Sequence, residues 1–100
     1  MIKVIQERYV KPGKREELNL LLRQLRIATV DHSGYITGET LVNADDPSHE
    51  IVIATWRAAE DWKAWQGDKE RKDITLKIRK LLTRPPKVTV CNVFEWKEEK

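Results

Sequence analysis

Residues 2–10, IKVIQERYV, are rich in β-branched and aromatic types and stop at Pro12-Gly13, a turn signal, so they predict a first strand. From Lys14 to Thr29 the period changes. Leu18, Leu21, Leu22, Leu25 and Thr29 recur at three- and four-residue steps, with Glu16 and Glu17 in the first turn, where the helix dipole favours them. This predicts a helix closed by Asp31-His32-Ser33-Gly34. Two further strands, 35–43 (YITGETLVN) and 50–56 (EIVIATW), flank ADDPSH, whose composition suits a hairpin loop. A second helical region starts near Ala59 and breaks at Gly67-Asp68, where Asp68 can cap the restart. It runs to Leu82 along the stripe Ile74, Ile78, Leu81 and Leu82. After Pro85-Pro86, residues 87–96 (KVTVCNVFEW) predict a last strand.

The order β-α-β-β-α-β, with no repeat or linker, predicts one α+β domain over residues 1–100. Its expected form is a ferredoxin-like four-stranded antiparallel sheet with two helices on one face. A strand in a half-covered sheet should alternate apolar with polar residues. Instead, Ile51 and Ile53 lie on one face of strand three, and Val52, Ala54 and Trp56 on the other. The last strand sets Val88, Val90, Phe94 and Trp96 against Cys91 and Val93. Two helices cover one side only, so a second copy is expected to cover the other, pairing sheet to sheet as a homodimer.

Composition narrows the class. With 40% hydrophobic and 35% charged residues, four Gly and four Pro, the chain is expected to be ordered throughout. No apolar run approaches the roughly 20 residues that span a bilayer, and the charged opening is unlike a signal peptide. A cytoplasmic protein without a membrane partner is expected. Cys91 is the single cysteine, and His32 and His49 fall in apparent loops without partners at ligand spacing, so no metal is expected. The 19 basic and 16 acidic residues leave a charge of +3. Lys69, Arg71, Lys72, Lys77, Arg79 and Lys80 are interleaved with Asp68, Glu70 and Asp73, which describes a solvated helix face. EIVIATW also lacks the marks of an RNA-binding strand, so no nucleic-acid partner is expected.

Trp56, Trp62 and Trp65 crowd within ten positions of a chain with four tryptophans. Trp62 and Trp65 share one helical face, which suits core packing and pocket lining alike. Glu7 interrupts an apolar strand. It is either one half of an ion pair with a neighbouring strand or a dimer mate, or a partly desolvated carboxylate able to accept a phenolic proton. Arg8 points to the opposite face, toward the expected dimer. Arg71 flanks the apolar stripe of the second helix, as a surface ion pair or as a group that orients an oxyanion.

Three stretches, ERYVKPGKREE, GYITGETLVNADDPSHEIVIATW and EDWKAWQGDKERKDITLKI, resemble the antibiotic biosynthesis monooxygenase family of dimeric α+β barrels. The resemblance implies that fold, and a choice among activities. Members include oxygenases acting on polycyclic phenols or quinols without metal or flavin, haem-degrading enzymes, and proteins with no established substrate. Trp56 matches a site tryptophan of the phenol-oxidising members, and Trp62 stands where they carry a tyrosine. Their asparagine and arginine fall at Val52 and Leu76. The asparagine, tryptophan and histidine of the haem-degrading members fall at Glu7, Trp65 and Thr75, and Thr75 is no axial ligand for iron. The expected function is therefore a small monooxygenase without a cofactor, acting on an aromatic phenol or quinol. Glu7 is its candidate catalytic base, and Trp56, Trp62, Trp65 and Arg71 its candidate substrate-binding residues. The alternative is a dimeric small-ligand-binding module without catalysis.

Overall fold

The computed structural model describes residues 1–96. Its elements are β1 (Ile2–Tyr9), α1 (Arg15–Val30), β2 (Tyr35–Val42), β3 (His49–Trp56), α2 (Ala59–Gln66), α3 (Lys69–Arg79) and β4 (Lys87–Asn92). The strands form one antiparallel sheet in the order β2-β3-β1-β4, the ferredoxin-like arrangement expected from the pattern.

The expected second helix is two helices. The chain breaks at Gly67-Asp68, and the Asp68 carboxylate accepts the Arg71 backbone N–H at 3.1 Å, capping α3 at its start. Helix α3 ends at Arg79, short of the expected Leu82, because Leu82 bridges to Val10 at the end of β1. The turn before β2 also has a fixed fit. Gly34 has φ of +85° and its carbonyl accepts the Arg57 N–H at 2.8 Å, while a Cβ there would collide with the Asp61 side chain.

The last strand is shorter than expected. Asn92 pairs with Ile2, the first residue of β1, and the Val93 N–H reaches the Met1 carbonyl at 3.5 Å, after which no partner backbone remains for residues 94–96. Phe94 and Trp96 lie beyond the sheet, 73% and 89% exposed, with their rings edge to face.

Strand alternation sorts the sheet into two faces. Ile2, Val4, Gln6 and Arg8 of β1 lie opposite Trp56, Ala54, Val52 and Glu50 of β3 on the helix-covered face. Lys3, Ile5, Glu7 and Tyr9 lie opposite Thr55, Ile53, Ile51 and His49 on the other. Arg8 therefore points under the helices, the reverse of the expected direction.

The covered face holds two core clusters. Ile2, Val4, Ala54, Trp56, Trp62 and Trp65 form one at the start of β1. Val10, Leu18, Ile74, Ile78, Leu81 and Leu82 form the other at its end. Leu25 of α1 packs against both, so α1 ties the two ends together. Each large apolar side chain so buried contributes about 1.5–3 kcal/mol. Between the clusters, under α1, the sheet presents Gln6, Arg8, Glu50 and Val52 in place of core residues. Among the described residues, no helix is long and apolar enough to cross a membrane.

Candidate functional site

A cavity of about 630 Å³, partly open to solvent, fills this gap between α1 and the sheet. Its size falls in the range of small-molecule sites. The floor is built from Gln6 and Arg8 of β1, Glu50 to Trp56 on alternate positions of β3, and Tyr35, Gly38 and Thr40 of β2. Helix α1 contributes Leu22, Leu25, Arg26 and Thr29, while Trp62, Trp65 and Arg71 close one end. Gly38 leaves room for the Tyr35 hydroxyl, which a Cβ at this position would displace.

The cavity has two chemically different ends. Six residues of β3 separate Glu50 from Trp56, about 20 Å along the strand at about 3.3 Å per residue. Trp56 marks the aromatic end. Its ring lies 5.9 Å from Trp62 and 5.5 Å from Tyr35, and His32 stands 5.8 Å from Trp56 and 5.1 Å from Trp65. Core packing and cavity lining are thus the same role for these indoles: all three are core members and all three line the cavity. Trp56 is fully buried, and its indole N–H finds no acceptor among the described residues. The Arg71 guanidinium lies over the Trp62 ring at 5.2 Å, and burial lowers its pKa from the ordinary value.

At the other end, Glu50 is 2% exposed and both of its oxygens face arginines. Arg15 donates to Oε2 at 2.8 Å, and Arg8 approaches Oε1 at 3.5 Å. Arg15 is itself anchored to the β2–β3 loop through the Pro47 carbonyl at 3.0 Å. Burial is the main cause lowering the Arg8 pKa, partly countered by Glu50. The Arg8 Nε is buried with no acceptor among the described residues.

Of the candidate residues, Trp56, Trp62, Trp65 and Arg71 are brought together along the cavity wall. Glu7 is not, which corrects its assignment as the base of this cavity. It lies on the opposite face of the sheet, where its Oε1 is 3.2 Å from His49 Nε2. The physical reason is the two-residue period of β1, which turns Arg8, not Glu7, toward the tryptophans. The Val52 position lines the cavity as an apolar floor residue, whereas Leu76 is 65% exposed on α3. His49 is also no loop residue: it opens β3 and stacks on Tyr9 at 4.5 Å, with Arg84 on Tyr9 at 3.8 Å. Arg15, Glu50 and Tyr35 escaped the sequence reading, and Arg8 was assigned to the dimer face. A signal existed for Arg8, a charged residue in phase with Ile2 and Val4, but its partner Glu50 lies 42 positions away.

The chain is thus an α+β domain of the ferredoxin-like class with a helix-roofed cavity, and sequence comparison narrows that class. The family model described as antibiotic biosynthesis monooxygenase matches residues 1–75, and the chain belongs to this family. Among solved structures, one described as an antibiotic biosynthesis monooxygenase superposes with a TM-score of 0.87 at 19% identity, over 95% of this chain and 100% of that one. Rv0793 from Mycobacterium tuberculosis has a TM-score of 0.85 at 22% identity, covering 97% and 98% of the two chains. SnoaB, a cofactor-independent oxygenase from Streptomyces nogalater, has a TM-score of 0.84 at 13% identity, covering 98% and 97%. These likenesses are of fold. No curated protein sequence gives a significant match.

Proposed function

We propose that the cavity binds an electron-rich phenol or quinol and oxidises it with dioxygen, without a bound cofactor. The carrying observation is the wall of Trp56, Trp62 and Trp65 at one end of a cavity in a fold of this family. Indole rings offer apolar aromatic surface to a flat ring.

The wall carries Arg8, Arg23, Arg26 and Arg71 against the carboxylates Glu39 and Glu50. This excess of positive charge favours the ionised phenol and lowers its pKa, so the proton can leave to solvent without a dedicated protein base. The phenolate then gives one electron to dioxygen. In a phenol with hydrogen at the para carbon the two radicals combine there, solvent returns the proton to give a hydroperoxide, and loss of water leaves a quinone. That ring gives up four electrons and dioxygen takes four, one oxygen atom entering the product and the other leaving as water. A hydroquinone, whose para carbon already bears oxygen, gives two electrons and two protons to dioxygen and leaves a quinone and hydrogen peroxide. No outside reductant is needed.

The test is oxygen consumption with a panel of naphthols, anthrones and hydroquinones. Uptake that falls in Trp62→Ala and Trp65→Ala supports the assignment; uptake indifferent to both removes these residues from the site. A second reading, a binding module without turnover, is favoured by the engagement of both Glu50 oxygens with arginines, which leaves no unpaired buried carboxylate to act as a base. Thermal stabilisation by a panel member without oxygen uptake selects it.

The same proposal includes a homodimer built on the uncovered sheet face. Ile5, Ile51 and Ile53 are half-buried there, and the helical core residues all pack on the opposite face. Sedimentation equilibrium at micromolar concentration checks it, and a monomer would sink it.

A further inference from the structure

We propose that the ligand of this cavity carries a carboxylate besides its aromatic ring, and that Arg8 receives it. The proposal rests on the reading of the cavity as an aromatic-ligand site and adds the substrate class.

Three observations support it. First, the buried Arg8 has no carboxylate to itself: Glu50 is shared with Arg15, whose side chain is 37% exposed. Second, the sharing is unequal. Arg15 holds Glu50 closely at 2.8 Å, while Arg8 stands off at 3.5 Å with its Nε unpartnered. An uncompensated buried guanidinium is costly, and a planar carboxylate matches the fork of N–H groups that Arg8 still has to offer. Third, Arg23, Arg26 and Arg71 line the same cavity, and among the described residues none of them forms an ion pair with a carboxylate. They raise the local concentration of anions and steer them inward.

A carboxylate can lie in the plane of the ring that carries it, which a tetrahedral phosphate cannot, and so a carboxylate is named in preference to a phosphate. The indoles then act on the ring and Arg8 on the acid. A fused-ring hydroxy acid covers more of the distance of about 20 Å between the two ends than a simple phenol does.

The experiment measures tryptophan-fluorescence quenching by 1-hydroxy-2-naphthoate and by its neutral analogue 1-naphthol, on the wild-type chain and on Arg8→Met. The wild type is expected to bind the acid at least about tenfold more tightly, near 1.4 kcal/mol. Arg8→Met is expected to abolish that difference, Arg15 remaining to pair Glu50. Equal binding of both probes by the wild type overturns the carboxylate subsite and leaves the aromatic site standing. Binding of neither probe overturns both. Should Arg8→Met not fold, Arg8→Lys keeps the charge but loses the fork and Nε, and is expected to narrow the preference; a preference undiminished in the soluble variant overturns the role of Arg8. Oxygen uptake, measured separately, bears on turnover alone.

Discussion

Both faces of the sheet carry charged residues but use them differently. On the covered face, Arg8 and Glu50 are almost wholly buried and flanked by a second arginine, in a cavity whose other end is lined by indoles. On the uncovered face, Glu7 and His49 form a half-exposed pair beside Tyr9, among isoleucines. The difference teaches that the alternation of β1 decides which charge becomes chemistry. Two adjacent residues, Glu7 and Arg8, end in opposite environments because successive side chains leave a strand on opposite sides.

Substitutions on the two faces should separate them. Trp56→Ala removes a fully buried indole from the covered face and is expected to cost about 3–5 kcal/mol, lowering Tm by more than about 10 °C in a thermal melt. Glu50→Gln leaves two guanidiniums facing one another and is expected to cost about 3 kcal/mol by denaturant unfolding. The matching change on the other face, Glu7→Gln, is expected to cost less than about 1 kcal/mol and to leave ligand affinity unaltered. Equal losses at Glu50 and Glu7 would erase the distinction.

Ile53→Asp sharpens the uncovered face. Its direct cost to the folded chain is expected to be about 1 kcal/mol at this half-buried position, while sedimentation should shift from dimer to monomer. The smallest effect lies in the hairpin loop outside both faces. The Ser48 hydroxyl and backbone N–H both donate to Asp46 and hold its carboxyl below the usual carboxylate range. A folded-state pKa below the unfolded one contributes stability above the unfolded value and loses it as pH falls through the folded value. Ser48→Ala should therefore move the Asp46 titration upward in an NMR pH series.

Much of the fold was legible along the chain. Leu18, Leu21, Leu22 and Leu25 announced α1 by their spacing, Asp68 announced the restart of the helix, and Asp46-Pro47-Ser48 announced the hairpin. The extent of β4 was not legible, since residues 94–96 keep strand chemistry and stop pairing only because the neighbouring backbone starts at Met1, which takes the Val93 N–H. The site was half legible: three tryptophans crowded in sequence are also together in space, and Arg71 joins them.

Sequence by itself determined the order of elements, the family and the aromatic end of the cavity, because periodicity, capping and local crowding act within a few residues of one another. Tertiary structure alone decided the ionic end. Arg8, Arg15 and Glu50 lie on three elements, and only the register of β1 against β3 and the docking of α1 over both bring two guanidiniums onto one carboxylate. Pairing across strands depends on register, and a shift of one residue would have put Glu7 beneath the helices in place of Arg8.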